Sequence, residues 1–132
     1  MSNKILMMCA MACALTVNGL AWAGAPEAQL LKWNAEAGSA GQADRGQAFF
    51  NQNHGHEWTC ASCHGNPPTE QGRHASTGKT LKPLAPAANP ASLTDSSKTD
   101  KWFRRNCREV LSRECTPMEK ADVLAWLIQL KR

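Results

Sequence analysis

The chain is short, with 132 residues, six cysteines and a formal net charge of +4 at neutral pH. This length supports one domain with one modest apolar core. The basic residues are spread along the sequence, which argues against nucleic-acid binding, and only Arg104, Arg105 and Arg108 gather on one predicted helix face. Such a trio is typical of a solvated surface, and the alternative is docking of an acidic partner protein.

Residues 1–23 predict a signal peptide that is removed on export. Lys4 gives a positive start, residues 5–23 are mostly apolar and small, and Ala21-Trp22-Ala23 provides a cleavage signal. Asn18 interrupts the apolar run, which favours cleavage over a permanent membrane anchor. We therefore expect a periplasmic mature protein, residues 24–132, without a membrane span. Cleavage also removes two of the six cysteines.

Two helical segments are predicted at the start of the mature chain. Residues 28–37 have mixed helical character, and a Gly-Ser-Ala-Gly stretch at 38–41 ends the segment. The second segment starts at Asp44. The polar residues 51–55 that follow it predict a turn leading to a cysteine motif.

The sequence Cys60-x-x-Cys63-His64 has the spacing of a haem c attachment motif. Two thiols at this spacing reach the two vinyl groups of one porphyrin, and the adjacent histidine is placed to bind the iron as proximal ligand. One alternative is a dithiol redox site, but such sites favour a βαβ context, which this sequence does not offer. The other is half of a zinc site, for which only Cys107 and Cys115 remain as further cysteine ligands. One such motif predicts one covalent haem c.

A long stretch without regular structure is expected next, over residues 65–99. Its five prolines are spaced so that neither a long helix nor a central strand fits. A loop of this length in a compact domain needs something to wrap around. A flat, apolar prosthetic group would supply that core.

The following predicted helix, residues 101–112 after a cap at Thr99 or Asp100, contains a carboxamide in an apolar stripe. Asn106 shares one half of its surface with Trp102, Phe103, Cys107, Val110 and Leu111, and the other half is taken by Arg104, Arg105, Arg108 and Glu109. Because a buried amide without a partner costs about 1–3 kcal/mol, Asn106 needs one. The partner is either a backbone group or the haem iron, bound through the amide oxygen.

Two other residues are candidates for the second face of the iron. Met118 is the only methionine of the mature chain. It falls in the first turn of the last predicted helix, which begins at a Thr-Pro-x-Glu signal and runs to Leu130. Binding iron through Met118 would sacrifice that helix start. His74 lies in the long loop and is free to approach the haem.

Cys107 and Cys115 flank the turn between the last two predicted helices. In an exported protein whose other cysteines hold a haem, these two are expected to form a disulfide. By chain-entropy estimates, a disulfide that closes so short a loop adds about 2–3 kcal/mol to the free energy of unfolding. The bridge would restrain the neighbouring Asn106, so its reduction should loosen that residue.

The chain resembles one branch of the class I cytochromes c. Asp44, Gly46 and Phe50, together with residues 122–127, are similar to the crossed terminal helices of that class, in which a glycine lets a C-terminal aromatic residue pack closely. The motif Trp102-Phe103-x-x-Asn106-Cys107 and the stretches 77–89 and 115–121 look like the sphaeroides haem protein and its relative cytochrome c″. The similarity covers residues 44–130.

This resemblance implies an all-α, class I cytochrome c-like fold of short helices and a long loop around one haem. It implies that Asn106 is the distal iron ligand, at a position where cytochrome c″ has histidine. It also implies ligand release on reduction, binding of O2 or other diatomics, and electron supply from a di-haem cytochrome. A carboxamide oxygen is a hard donor that suits ferric iron better than ferrous iron, in agreement with that release.

Two other functions stay open at this point. The first is a plain electron carrier that remains six-coordinate through Met118 or His74 in both oxidation states. The second is a disulfide-stabilised binding module in which the Cys-x-x-Cys-His sequence is incidental. Reductase activity towards a bound small molecule such as O2, NO or peroxide is a further possibility within the haem-protein reading.

Overall fold

The computed structural model describes residues 25–132, which form five α-helices and one short β-hairpin. The helices are α1 (Pro26–Ala37), α2 (Ala43–Asn51), α3 (Cys60–His64), α4 (Ser96–Leu111) and α5 (Pro117–Gln129). Strands β1 (Gly72–Arg73) and β2 (Thr80–Leu81) pair antiparallel. The expected all-α fold is confirmed. The predicted signal peptide lies outside the described residues. None of the helices in residues 25–132 has both the length and the hydropathy of a membrane span.

The centre of the fold is the crossing of α2 and α5. Gly46 of α2 lies against the backbone of Asp122 in α5, and a Cβ atom at this position would collide with the Asp122 carbonyl. The glycine is therefore required, as expected, although it faces helix backbone and not an aromatic ring. The aromatic contact lies one turn further, where the buried rings of Phe50 and Trp126 have centroids 5.0 Å apart.

Helix α1 covers the other side of α5. Trp33 is buried against Ala121 and Leu124, and the Lys120 ammonium lies 3.9 Å from the centroid of the Trp33 ring. The Gln29 amide donates a hydrogen bond to the carbonyl of Leu93 in the long loop. These contacts make α1 part of the same domain as the helices that follow.

Helix α4 is longer at its start than the sequence predicted. It begins at Ser96, and its N-cap is Asp95, whose carboxylate accepts a hydrogen bond from the Lys98 backbone N–H at 2.9 Å. The predicted caps, Thr99 and Asp100, instead lie inside the helix, and the Thr99 hydroxyl donates to the Asp95 carbonyl at 2.8 Å. Asp95 and Thr99 are both residue types that favour the N-cap position, and the earlier of the two, Asp95, starts the helix.

The predicted start of α5 and the disulfide are both confirmed. The Thr116 hydroxyl accepts from the Glu119 N–H at 3.2 Å, and the Glu119 carboxylate accepts from the Thr116 N–H at 2.8 Å, which is a complete capping box. Cys107 and Cys115 are joined, with Cα atoms 5.5 Å apart. The bridge ties the end of α4 to the start of α5.

Residues 65–95 contain no helix, as their prolines predicted, but the β1–β2 hairpin within them was not predicted. Gly72 of β1 lies so close to the Cys63 carbonyl that a Cβ atom would collide with it. The hairpin therefore packs directly on α3.

Candidate haem-binding site

A cavity of about 750 Å³ opens between α3, α4 and the long loop. This volume falls within the usual range for cofactor pockets, about 300–1,000 Å³. All four residues that the sequence analysis assigned to haem line it: Cys60, Cys63, His64 and Asn106. The walls between them are largely apolar and include Phe49, Phe50, Phe103, Val110 and Leu127.

Local hydrogen bonds fix the cysteine motif as one short helix. The Thr59 hydroxyl accepts from the Ser62 N–H at 3.0 Å, and the Ser62 hydroxyl accepts from the Thr59 N–H at 2.9 Å. This reciprocal cap starts α3 at Cys60, so Cys60 and Cys63 lie one helical turn apart and on the same side. Gly65 ends the helix directly after His64, with φ +80°.

The two thiols of the motif are free, in contrast to the bridged pair nearby. Burial raises the pKa of the Cys60 thiol to about 11, which keeps this thiol protonated at neutral pH. The Cys63 sulfur accepts a hydrogen bond from the Ala75 N–H at 3.2 Å. Two separate thiols that line one apolar cavity fit thioether attachment of a porphyrin.

His64 has the properties of a metal ligand. Burial, together with the nearby His74, lowers the pKa of the His64 imidazole and so favours the neutral form, which is the form that binds metals. Its Nδ1 atom is buried and has no hydrogen-bond partner among residues 25–132. A buried histidine with a purely structural role usually has hydrogen-bond partners for its ring nitrogens. The Nδ1 atom of His64 has none among the described residues. The donor set fits a haem iron.

Asn106 reaches the same cavity from α4. It is half-buried, and no hydrogen bond joins its carboxamide to another residue of the described chain. The sequence analysis expected a buried amide that needs a partner, but Asn106 is only half-buried and its carboxamide has no backbone partner. The bridged cysteines Cys107 and Cys115 also line the cavity, next to Asn106. The structure thus brings the expected proximal and distal residues to one cavity from two different helices.

Met118 is not among the residues that line the cavity. Its sulfur lies 3.0 Å from the Arg45 guanidinium and 3.9 Å from the Ser39 hydroxyl. His74 does line the cavity, and its Nε2 atom lies 3.4 Å from a carboxylate oxygen of Glu109. Of the two other candidates for an iron ligand, only His74 is thus near the site, and it already has a carboxylate partner.

Some of the cavity lining was not found from the sequence. Arg105 and Glu109 were placed on the outer half of their helix, yet both line the cavity. Trp102 was placed on the apolar half but is 44 % exposed, with the Arg105 guanidinium 5.2 Å from its ring centroid. Helical periodicity divides the surface of α4 into an apolar half and a polar half. The cavity is wide enough to reach residues of the polar half, so periodicity alone did not place Arg105 and Glu109 in its lining. Lys79 and Lys82 of the long loop also line it.

Comparison with known proteins identifies the family. Residues 36–127 match a family model described as "Domain of unknown function (DUF1924)". The chain is 48 % identical over 105 residues to the cytochrome c-type protein SHP of Cereibacter sphaeroides, covering 76 % of this chain and 81 % of that protein. The chain belongs to the class I cytochromes c of the SHP type.

Solved structures of related cytochromes support the same family assignment. A structure of oxidised SHP, described as an oxygen-binding cytochrome c, superposes with a TM-score of 0.72 at 42 % identity and covers 77 % of this chain and 94 % of that one. Cytochrome c″ of Methylophilus methylotrophus is 40 % identical over 87 residues, 63 % of this chain and 60 % of that protein. Its solution structure has a TM-score of 0.70 at 33 % identity and covers 81 % of this chain and 94 % of that one.

Family membership confirms the class I cytochrome c-like fold expected from the sequence. It also makes haem c the cofactor, because that is the group that cytochromes c carry. The binding-module alternative, in which the Cys-x-x-Cys-His sequence is incidental, is therefore wrong.

Proposed function

We propose that this chain is an exported mono-haem cytochrome whose distal residue, Asn106, binds ferric iron and leaves on reduction. The reduced protein then offers an open position to O2 or another diatomic molecule. Cys60 and Cys63 hold the haem and His64 is its proximal ligand. The donor of electrons is a partner protein, which we propose to be a di-haem cytochrome, and the protein acts in the periplasm.

The placement of Asn106 supports this proposal best. Its carboxamide lines the cavity that His64 also lines, and it makes no hydrogen bond to the described protein. A half-buried amide without a protein partner is free to act as a ligand. The Met118 sulfur, by contrast, contacts Arg45 away from the cavity, so a methionine ligand would require the first turn of α5 to be rebuilt.

The chemistry of the amide oxygen supports release on reduction. It is a hard donor with a preference for the higher oxidation state, so the Asn106 bond to ferrous iron should be weak. A reduced haem with an open position supplies iron that binds O2, NO or CO. The solved relatives are consistent with this: oxidised SHP is described as oxygen binding, and the solution work on cytochrome c″ concerns haem-ligand detachment.

A second candidate function is that of a conventional six-coordinate electron carrier. His74 is the residue that favours it, because it lines the cavity. To bind iron, the His74 side chain would have to give up its contact with Glu109. The proposal and this alternative differ in whether the reduced iron has an open position.

A CO-difference spectrum of the dithionite-reduced holoprotein tests the proposal. We expect fast CO uptake with a large Soret change, because Asn106 has left the iron. The same measurement on His74→Ala serves as control and should give the wild-type spectrum. A wild-type protein that takes up no CO, together with a His74→Ala variant that does, would establish the electron-carrier function instead.

A further inference from the structure

The wall of the haem cavity contains a leucine in an unusual backbone conformation. Leu93 lines the cavity and has φ +61°, in the left-handed region that favours glycine. Ser112 has a similar φ of +56°, but it is the C-cap of α4, where this conformation is common. Leu93 instead ends a turn of the long loop, two residues before the Asp95 cap. A left-handed leucine costs free energy, so its neighbours have to hold it in place.

The Leu93 side chain joins the cavity wall to the apolar core behind it. It packs against a cluster that includes Phe50 and Trp126, and also against a second cluster that includes Trp33 and Leu124. Trp33 belongs to α1, and none of residues 26–37 of that helix is part of the cavity lining. Leu93 therefore connects α1 with the haem site.

A buried glutamine of α1 holds the Leu93 backbone. Gln29 is only 3 % exposed, and its amide N–H donates to the Leu93 carbonyl. Its carboxamide oxygen is buried without a hydrogen-bond partner among residues 25–132, so the bond to Leu93 is the one that this side chain makes there. Gln29 and Trp33 lie one helical turn apart on the buried face of α1. The donor is therefore fixed by a helix that is itself packed on α5.

Contacts from α1 also support the start of α4. The Leu93 peptide leads directly into this helix, and inside its first half the Lys32 ammonium lies 2.7 Å from a carboxylate oxygen of Asp100. The disulfide at Cys107 holds the other end of the helix. Asn106 lies on the helix between these supports, so its position in the cavity depends on both.

We propose that Gln29 is a positioning residue of the haem site and acts through Leu93. Its hydrogen bond keeps Leu93 left-handed, so that the leucine closes the cavity wall and α4 starts in the direction that carries Asn106 to the iron. This inference rests on the proposed function of Asn106 and adds that α1, outside the cavity, controls how firmly Asn106 is held. Without the bond, Leu93 relaxes to a negative φ and its peptide rotates. A glycine at position 93 adopts the left-handed conformation freely and does not need Gln29.

The first test is azide binding to the ferric holoprotein, followed by stopped flow. Gln29→Leu keeps an apolar side chain of similar size but has no donor, and Gln29→Ala is the second variant. Both should raise the rate constant for azide binding about threefold to tenfold, the equivalent of one hydrogen bond, because Asn106 is displaced more easily. The matched control is Asn34→Ala. It removes another hydrogen bond of α1, at 2.8 Å to the Gly41 N–H, and should bind azide as wild type does.

Two further measurements show whether Gln29 acts through Leu93. In a Leu93→Gly background, Gln29→Leu should have little additional effect on azide binding, since glycine needs no support for this conformation. Hydrogen–deuterium exchange of the same holoproteins, read by mass spectrometry, should be faster over residues 91–100 in Gln29→Leu and unchanged there in Asn34→Ala. This second readout does not depend on a ligand binding to the iron.

Three results would overturn the proposal. Equal acceleration of azide binding in Gln29→Leu and Asn34→Ala would mean that α1 acts only through overall stability. The same effect of Gln29→Leu with leucine or glycine at position 93 would mean that Gln29 does not act through Leu93. Unchanged exchange over residues 91–100 in Gln29→Leu would mean that the bond does not hold this segment. CO uptake by the reduced wild type tests Asn106 separately, and its failure would leave the exchange result as evidence for the contact between Gln29 and Leu93.

Discussion

The two helices that carry the proposed iron ligands hold them in different ways. Helix α3 is five residues long, and a reciprocal cap between Thr59 and Ser62 defines it almost completely. Helix α4 has 16 residues, begins at the Asp95 cap and is tied at its end by the Cys107–Cys115 bridge. His64 directly follows Cys63, a proposed attachment cysteine, whereas Asn106 is placed by a long helix that is bridged at the adjacent residue, Cys107. The proposed fixed ligand and the proposed releasable ligand therefore have different structural supports.

The largest effect is expected on the α3 side. His64→Ala should prevent stable haem incorporation, because the proximal ligand is lost. Cys60→Ala and Cys63→Ala should each keep one thioether and shift the haemochrome band. A pyridine haemochrome assay on purified protein measures all three variants. Unchanged spectra throughout would remove the basis for assigning the motif.

Substitution of Asn106 should change the spin state and keep the haem. Asn106→Ala should open the ferric site to water or azide, while Asn106→His should give a tighter, low-spin ferric haem, since imidazole is a stronger ligand than an amide oxygen. Electronic absorption and electron paramagnetic resonance distinguish these states. Arg104→Ala, on the outer face of the same helix, is the control and should leave both spectra as in wild type. If Asn106→Ala does so too, this residue is not the ligand.

Removal of the bridge should have an intermediate effect. The double variant Cys107→Ala, Cys115→Ala should lower the free energy of unfolding by about 2–3 kcal/mol, as measured by urea denaturation. Because the bridge anchors the helix next to Asn106, we also expect faster azide binding to the ferric protein. Alkylation of the unreduced, denatured wild type should label no cysteine after haem attachment. Wild-type stability in the double variant would show that α4 is held by packing alone.

The smallest effect is expected for Met118. Its sulfur contacts Arg45 away from the cavity, so Met118→Ala should leave the spectra of both oxidation states unchanged. The decisive observation is the far-red region of the ferric spectrum. A sulfur-to-iron charge-transfer band there, lost in Met118→Ala, would make this a methionine-ligated carrier and the Asn106 assignment wrong.

The difference between the two helices also explains what the sequence could predict. The Thr116 capping box depends on residues close in sequence, and it was predicted correctly. The close approach at Gly46 was expected only from the resemblance to class I cytochromes c, and the structure shows that it involves the Asp122 backbone instead of an aromatic ring. The attachment motif stays a prediction, which the cysteine spacing and the haem c of the family support. The start of α4 was misplaced because Asp95 and Thr99 are both acceptable caps. The cavity-facing positions of Arg105 and Glu109 were missed because they depend on the width of the cavity, which no helical periodicity contains.

All four cysteines of the described chain line one cavity, and this has a consequence for the maturation of the protein. The proposed haem attachment needs Cys60 and Cys63 as thiols, whereas Cys107 and Cys115 are joined in a disulfide. A thiolate that reaches the bridge can exchange with it and form a mismatched pair. Once both motif sulfurs are thioethers, that exchange is no longer available. If the haem is attached at Cys60 and Cys63 as proposed, its attachment would therefore also protect the correct disulfide, and the order of the two assembly steps would affect the yield.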